Sequence, residues 1–222
     1  MHNLTLLIPA KYEKDSLPLV LEELKNYDLK KLIVLERNDI ETIEVTKKYE
    51  CELLFQSVQG YGAALIEGIK KIETEYLCIF NADGSFNPNE LRGMYNLVKK
   101  NSFVFATRYN NDSSSEDDTI LTYMGNKIFS LIGKIFFSLD LNDILYTFVM
   151  GKTQKFKFID LKSKDFKICV ELPINIKKNN FQYVTNSSHE RKRLMGEKKV
   201  NEFIDGFKIL YFMIKSFFKK NY

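Results

Sequence analysis

Short apolar segments alternate with longer amphipathic segments along the first half of the chain. The apolar segments have the length and composition of strands, and the amphipathic ones have the spacing of helices. Strands are predicted at residues 4–8, 31–35, 51–55, 76–80 and 103–107, and helices at about 16–27, 40–49, 62–72 and 89–100. Strands that alternate with helices of this length build βαβ units. The pattern therefore predicts an α/β fold with a mostly parallel, doubly wound sheet and helices on both faces.

The second half of the chain is less regular. Residues 110–118 are polar and predict a mobile loop, and residues 120–139 predict an apolar helix that is buried or docks on a surface. Short strands are predicted at 146–150, 166–170 and 181–185, a basic loop at 187–199 and an amphipathic helix at 200–218. No linker separates these parts. We therefore expect one domain, 1–222, made of an N-terminal half (1–109), a second half (110–199) and a C-terminal helix (200–222).

Composition restricts the class of protein. The 222 residues are 45% hydrophobic and 28% charged, which is typical of a globular chain. The net charge of +4 does not by itself indicate nucleic acid, and no nucleic-acid-binding module is visible, so no nucleic-acid partner is expected. Three cysteines lie far apart, which favours reduced thiols. The sequence predicts a cytoplasmic protein, with the inner face of the membrane as an alternative place; it leaves the oligomeric state open.

The segment 76–88 carries the clearest functional signal. An apolar run with strand composition stops at Asp83, Gly84 and Pro88. Open α/β sheets bind ligands at the carboxyl ends of their strands. A carboxylate at that position can share a divalent cation with a phosphate. The alternative is a turn in which Asp83 caps the next helix.

A second candidate is the glycine pair Gly60 and Gly62, which precedes a predicted helix. Backbone N–H groups at a helix N-terminus favour an anion. The segment is not a dinucleotide fingerprint, because Leu65 stands where a third small residue belongs. The alternative is a turn that lets the helix pack closely.

Several short motifs occur in an order that is known from one family. They are Pro9-Ala10-Lys11-Tyr12-Glu13, Gly60-Tyr61-Gly62-Ala63-Ala64, Asn81-Ala82-Asp83, Ala106-Thr107-Arg108, Asp143 and Arg193-Leu194-Met195-Gly196-Glu197-Lys198-Lys199. In this order the chain resembles family 2 glycosyltransferases with a GT-A fold, especially the polyprenyl-phosphate (dolichyl-phosphate) sugar synthases. The resemblance implies inverting transfer of a sugar from a nucleotide-diphosphate sugar to a polyprenyl phosphate or a glycan hydroxyl, with Mg²⁺ or Mn²⁺ as cofactor. It also implies that the half 1–109 binds the nucleotide sugar and that the half 110–199 binds the acceptor.

The resemblance and the residue chemistry together give candidate site residues. For donor binding they are Pro9, Glu13, Glu36, Gly60, Gly62, Asn81, Ala82, Asp83 and Arg108. For the metal they are Asp83, Ser85 and His189, and for an acceptor or phosphate Arg191, Arg193 and Lys199. Asp143 is the candidate general base for a hydroxyl acceptor; toward a phosphate acceptor it would only orient. The alternatives are a turn serine, a loop histidine, a solvated basic surface and a capping aspartate.

The chain also departs from the family. Glu36 and Arg37 replace an aspartate pair, Asn81 replaces the first aspartate of the metal motif, and Tyr12 replaces an asparagine. These departures favour a second hypothesis, a catalytically degenerate relative that binds a nucleotide sugar or a protein partner without turnover. A nucleotidyltransferase is a third hypothesis, but residues 9–14 lack the glycine-rich loop it needs.

The C-terminal helix combines large apolar residues with lysines. This combination is found in helices that lie in a membrane interface, so peripheral membrane contact is one expectation. Packing of the helix against the core is the other.

Overall fold

A computed structural model describes residues 1–195 and 200–220 of the chain. Its strands are β1 (Leu4–Pro9), β2 (Lys30–Leu35), β3 (Glu52–Phe55), β4 (Tyr76–Ile79), β5 (Phe103–Thr107), β6 (Ser114–Ser115), β7 (Val149–Lys152), β8 (Tyr183–Ser187) and β9 (His189–Glu190). Seven of them form one sheet in the order β3-β2-β1-β4-β7-β5-β8, and β6 pairs with β9. Neighbours in the large sheet are parallel except on both sides of β7, which runs antiparallel to β4 and β5. The predicted mostly parallel sheet is confirmed.

Helices cover both faces of this sheet. They are α1 (Leu17–Glu23), α2 (Ile40–Thr46), α3 (Tyr61–Lys71), α4 (Glu90–Val98), α5 (Ile120–Phe137), α6 (Thr153–Phe158), α7 (Ile168–Lys178) and α8 (Glu202–Lys220). Strands β4 and β5 are buried along their whole length, which explains why their sequences are continuously apolar. Alternate residues point to opposite faces: Leu6 packs with α1 and α4, whereas Leu7 packs with α3 and α7. Both clusters hold the strand ends in place.

The structure differs from the predicted elements mainly in the second half. The predicted strand at 166–170 is wrong, because Ile168 begins α7. Ile168, Leu172 and Ile176 recur every four residues and pack under the sheet, as a helix requires. The predicted strand at 146–150 is found three residues later as β7, and α6 and β9 were not predicted. The loop 110–118 contains β6, so it is anchored to β9 rather than free.

Helices α5 and α8 lie beside each other and contact α7 through a third apolar cluster. This cluster includes Phe137, Ile144, Val170, Ile209 and Met213. Within residues 1–195 and 200–220, none of the helices has the length and apolar content needed to cross a bilayer.

Candidate active site

A cleft of about 570 Å³ opens at the carboxyl ends of the first five strands. Each of these strands contributes residues that directly follow its end, where open α/β sheets bind ligands. The predicted residues that line the cleft are Pro9, Glu13, Glu36, Gly60, Asn81, Ala82, Asp83, Ser85, Arg108 and Arg193. The fold thus brings together most of the candidates, which are spread over more than half of the sequence.

Asp83 lies just beyond the end of β4, and its side chain is 15% exposed. Its Oδ1 accepts hydrogen bonds from the Ser85 backbone N–H at 3.0 Å and the Ser85 hydroxyl at 2.7 Å. Gly84 turns the chain with a φ of 81°, a conformation that glycine adopts without strain. The short turn fixes one carboxylate oxygen and leaves Oδ2 directed elsewhere.

A segment at residues 188–195, here called the strap, crosses this turn. The Leu194 N–H donates to the Asp83 carbonyl at 2.8 Å, and the Arg191 N–H donates to the Ser85 carbonyl at 2.9 Å. The Leu194 side chain packs directly on Gly84, where a Cβ would come within 2.5 Å of it. A glycine at position 84 is therefore needed for both the turn and the close approach of the strap.

Arg193 on the strap reaches into the cleft. Its Nη2 lies 3.2 Å from Asp117 Oδ2 and 3.7 Å from Asp83 Oδ2. Burial lowers the pKa of Arg193, but the hydrogen bond to Asp117 and the charge of Asp83 outweigh it and raise the pKa. The guanidinium is thus a fixed positive charge beside the candidate metal anchor.

Arg191, which was also predicted for an acceptor or phosphate, is placed differently from Arg193. Arg191 makes a two-pronged ion pair with Glu23, at 2.9 and 2.8 Å, and also donates to the Phe86 carbonyl. It binds the protein's own groups, outside the cleft lining. Lys199 lies outside the described residues.

Arg108 lies at the centre of an acidic cluster, which also contains Asp118, Asp143 and Glu190. It holds both oxygens of Asp143, with Nε and Nη2 each at 2.8 Å, and Nη1 contacts Glu190 at 2.9 Å and Asp118 at 3.2 Å. Burial lowers the pKa of Arg108, but the charge and hydrogen bonds of Asp143 outweigh it and raise the pKa well above its usual range. Arg108 is therefore permanently charged and already partnered.

Asp143 itself is 2% exposed and does not line the cleft. Its carboxylate is occupied by Arg108 and by the Asn126 side-chain amide. A general base must reach the proton it removes. The position of Asp143 therefore favours orientation of Arg108 over the general-base role expected from the sequence.

His189 is also placed away from the cleft lining. Its ring nitrogens contact Ser114 and, at 3.1 Å, Glu116, and its backbone N–H donates to Glu90 at 3.0 Å. In this structure the imidazole links β9 to the β6 segment rather than joining Asp83. The proposed ligand role for His189 thus has no geometric support here.

The side of the cleft that follows β1 and β2 carries Glu13 and Glu36. Glu13 is buried and accepts a hydrogen bond from the Ser16 hydroxyl at 2.6 Å. Glu36 is buried too, and accepts from Lys11 at 2.8 Å and from Gln59 at 3.1 Å. Both carboxylates are held in place by neighbouring side chains, which pre-orients them toward a ligand.

The two glycines at the N-terminus of α3, Gly60 and Gly62, are packed against protein backbone. A Cβ on Gly60 would lie 2.2 Å from the Lys164 carbonyl, and one on Gly62 2.1 Å from the Ser163 carbonyl. The Ala63 N–H already donates to Lys164 at 3.1 Å. Gly62 does not line the cleft. This packing favours the alternative, a turn that permits close approach of the helix, and Gly60 alone of the two lines the cleft.

The donor atoms near Asp83 suit a hard cation only in part. Asp83, Ser85 and Asn81 offer oxygens but a single negative charge. Among the described residues no group of three or more His, Cys, Asp or Glu side chains could hold a metal. Mg²⁺ is commonly held by one or two carboxylates together with substrate phosphates. The site fits a cation that arrives with, or is completed by, a diphosphate.

Sequence reasoning missed the carboxylates of the 116–118 segment and Glu190. Their signal is charge complementarity, because an acidic run at 116–118 faces the basic run at 191–193. A smaller cleft of about 240 Å³ was also not predicted. It lies between α5 and α8, is lined largely by apolar residues, and shares Arg108, Asp118, Leu145 and Val200 with the main cleft.

Several solved structures share this fold. Glucosyl-3-phosphoglycerate synthase from Mycobacterium tuberculosis, in complex with Mn²⁺, uridine diphosphate and glucosyl-3-phosphoglycerate, aligns with a TM-score of 0.75 and 9% identity, over 96% of this chain and 79% of that chain. The same enzyme in complex with Mg²⁺ and uridine diphosphate aligns with a TM-score of 0.66 and 11% identity, over 96% of this chain and 78% of that chain. Mannosyl-3-phosphoglycerate synthase from Rubrobacter xylanophilus aligns with a TM-score of 0.73 and 13% identity, over 98% of this chain and 74% of that chain. These likenesses confirm the predicted GT-A-like fold.

No curated protein matches the chain by sequence. The sequence model described as glycosyl transferase family 2 does match it, over residues 5–160, which is more than half of the chain and includes β1 to β7. The prediction of a glycosyltransferase is confirmed, whereas the polyprenyl-phosphate branch stays a prediction. The chain belongs to glycosyl transferase family 2.

Proposed function

We propose that this protein transfers a sugar from a nucleotide-diphosphate sugar bound in the main cleft. The observation that carries the proposal is the position of Asp83, a carboxylate at a strand end in a cleft of about 570 Å³. Glu13 and Glu36 lie on the side of the cleft formed by β1 and β2, and would contact the nucleoside. Asp83 and the diphosphate together would hold Mg²⁺ or Mn²⁺, which supplies positive charge against the leaving diphosphate.

The residues of the chain then have distinct tasks. Arg193 is the cleft arginine whose ion pairs, with Asp83 and Asp117, are partly exposed and so can be exchanged for a diphosphate oxygen. Arg108 is locked by buried carboxylates, and its charge faces the cleft from a fixed position. The acceptor would attack the anomeric carbon opposite the leaving group, with inversion, as the family resemblance implies.

For the acceptor we favour a polyprenyl phosphate over a glycan hydroxyl. Asp143 is committed to Arg108, and a phosphate acceptor needs no general base because it is already an anion at neutral pH. The smaller cleft adds an apolar path from Arg108 toward the gap between α5 and α8, where an isoprenoid chain could lie. Glucosyl-3-phosphoglycerate synthase from Mycobacterium tuberculosis, which shares this fold, was solved with phosphoglyceric acid, so a small phosphorylated acceptor is the competing possibility that the experiment must include.

A thermal-shift panel tests the donor. UDP-, GDP-, CDP- and dTDP-sugars are added with and without Mn²⁺, and the donor should raise the melting temperature only when metal is present. Calorimetry supplies a second readout: Mn²⁺ should bind measurably in the presence of the nucleoside diphosphate and weakly without it. No shift with any donor would contradict the proposal.

Turnover separates this proposal from the non-catalytic hypothesis. Asn81 gives the metal motif one negative charge fewer than two aspartates would. Release of nucleoside diphosphate in the presence of a polyprenyl phosphate, a glycan or phosphoglyceric acid supports an enzyme. Metal-dependent donor binding with no release for any acceptor class favours the catalytically degenerate relative.

A further inference from the structure

Helix α5 presents its most apolar face to solvent. Five large apolar residues on its outer side, from Ile120 to Ile135, lie four, four, three and four positions apart in the sequence. A sixth, Leu121, directly follows the first. These six residues are here called the outer stripe of α5. At about 100° per residue, these side chains fall within an arc of about 100° on one side of the helix. They are each 48% or more exposed: Ile120, Leu121, Met124, Ile128, Leu131 and Ile135. The opposite side, with Asn126, Ser130 and Gly133, is buried.

Helix α8 repeats the arrangement. Five large residues on its outer side, from Phe203 to Phe218, show the same spacing of four, four, three and four positions, and Ile204 directly follows the first. These six residues form the outer stripe of α8. These side chains are each 49% or more exposed: Phe203, Ile204, Phe207, Tyr211, Ile214 and Phe218. The buried side includes Ile209 and Met213. An ordinary surface helix has polar residues on its solvent side, whereas the solvent sides of α5 and α8 are apolar.

The two stripes belong to one surface. The helices contact each other, and Phe217 of α8 packs against Phe136 and Phe137 of α5. Both insert their buried sides into the same third cluster. Two adjacent helices that bury their inner sides in a common cluster expose their outer sides in the same general direction. The result is a two-helix apolar surface, larger than the scattered exposed apolar residues of an ordinary monomer.

The charges carried by the two helices themselves have one dominant sign. Helix α5 contains Lys127 and Lys134 and no acidic residue. Helix α8 contains four lysines, and its two acidic residues, Glu202 and Asp205, are confined to its first turn. Asp205 is buried and paired with Lys208. The exposed lysines Lys134, Lys208 and Lys215 thus flank exposed Phe, Tyr, Leu and Ile side chains, the composition of helices that lie in the plane of an anionic membrane interface.

We propose that the two-helix apolar surface docks on an anionic phospholipid bilayer, with α5 and α8 lying in the interface. The charge complementarity favours a lipid surface over a second copy of this chain, whose same lysines would repel each other. The smaller cleft lies between these helices and joins the main cleft at Arg108. Docking on this surface would place the opening of that cleft next to the lipid. This inference does not depend on the identity of the donor.

Vesicle co-sedimentation tests the proposal. The full chain should pellet with phosphatidylcholine–phosphatidylglycerol vesicles, pellet less at high salt, and bind weakly to phosphatidylcholine alone. Loss of two stripe residues in Ile128→Ser/Leu131→Ser should weaken partitioning about tenfold or more, because each side chain contributes apolar area. Leu19→Ser on α1, an exposed leucine away from this surface, should bind like wild type.

Two results would overturn the proposal. One is that the full chain stays in the supernatant to the same extent with anionic vesicles as with neutral vesicles at low salt. The other is a stable dimer in sedimentation velocity that Ile128→Ser/Leu131→Ser dissociates, since a second copy would then cover the surface. An unchanged melting temperature for the double variant shows that the stripe mutations act on docking and not on folding.

Discussion

Arg193 Nη2 lies 3.7 Å from Asp83 Oδ2, and the same nitrogen lies 3.2 Å from Asp117 Oδ2. The arginine therefore stands next to the carboxylate that we propose as the metal anchor. A guanidinium and a divalent cation at that oxygen repel each other, so metal binding and the Arg193–Asp83 ion pair oppose each other.

Arg193→Gln should raise the Mn²⁺ affinity of the nucleotide-free protein. The pair is partly exposed, so an effect of about 1 kcal/mol, or roughly fivefold in affinity, is expected. Arg193→Lys keeps the positive charge and should change the Mn²⁺ affinity less than Arg193→Gln does. Calorimetric titration with Mn²⁺ measures both variants, and equal affinity of Arg193→Gln and wild type would show that the pair does not control metal access.

Asp83→Asn keeps the turn but removes the negative charge. We expect loss of the metal-dependent thermal shift by the donor and a fall in turnover of about 100-fold or more, because the diphosphate loses its metal partner. Asp140→Asn, at an exposed position, is the matched control. Wild-type turnover by Asp83→Asn would remove the basis of the catalytic assignment.

Arg108→Gln should destabilise the fold strongly. It leaves Asp143, which is 2% exposed, as an unpaired buried charge, at a cost of about 3–5 kcal/mol. Arg92→Gln, at an exposed position on α4, should change stability by less than about 0.5 kcal/mol. Urea unfolding measures both. The double variant Arg108→Gln/Asp143→Asn should recover part of the loss, and additive losses would contradict the proposed pairing energy.

Two glycine-to-alanine changes in helices should have opposite effects. In Gly62→Ala the new methyl would lie 2.1 Å from the Ser163 carbonyl, so the 163–165 segment must move, and a loss of about 2 kcal/mol or more is expected. At Gly125 nothing lies within 4 Å of the new methyl, and alanine should stabilise α5 by about 0.5–1 kcal/mol. Thermal unfolding of the two variants gives the sign of each effect directly.

Glu67 predicts a pH dependence. Burial raises its pKa, but hydrogen bonds from Ser57 and Val58 outweigh this and hold the pKa below its ordinary value of 4.5. Its stabilisation is therefore fully present above about pH 5 and is lost as the pH falls through the lowered pKa. Glu67→Gln should cost about 0.5–1 kcal/mol at neutral pH, because solvent around this partly exposed carboxylate screens its charge.

The deficit of Glu67→Gln should shrink toward about pH 3, where wild type loses the same charge. Urea unfolding at several pH values tests this, with the exposed Glu73→Gln as control. A deficit that is constant with pH would mean that the carboxylate charge is not the source of the stabilisation.

The sequence predicted those parts of the fold and the site that depend on local pattern. The strand end at Asp83 is visible because an apolar run and a turn follow each other within residues 76–88. The order of the first five strands along the chain followed from the same kind of alternation. Parallel topology then brought their carboxyl ends to one edge, which explains why ten of the predicted residues share a cleft.

Other features depend on contacts that no local pattern encodes. Arg108 and Asp143 are 35 positions apart, and only the fold shows that they bind each other rather than substrate. Ile168 and Val170 are β-branched, so a short window favoured a strand, and α7 forms because its apolar side packs under the sheet. The orientation of α5 was equally hidden, since an apolar stripe looks the same whether it faces the core or solvent.

Strand β7 has a consequence for how the chain must be handled. It is inserted between β4 and β5, where Met150 pairs with both Cys78 and Val104. A fragment that stops at residue 109 would contain both neighbours but not the strand that joins them. Each would offer bare backbone N–H and C=O groups along an apolar rim, which invites strand-to-strand aggregation. During synthesis the facing edges of β4 and β5 stay unpaired until residue 152 has left the ribosome. The nascent chain is therefore protected from aggregation at these edges only after β7 has been made.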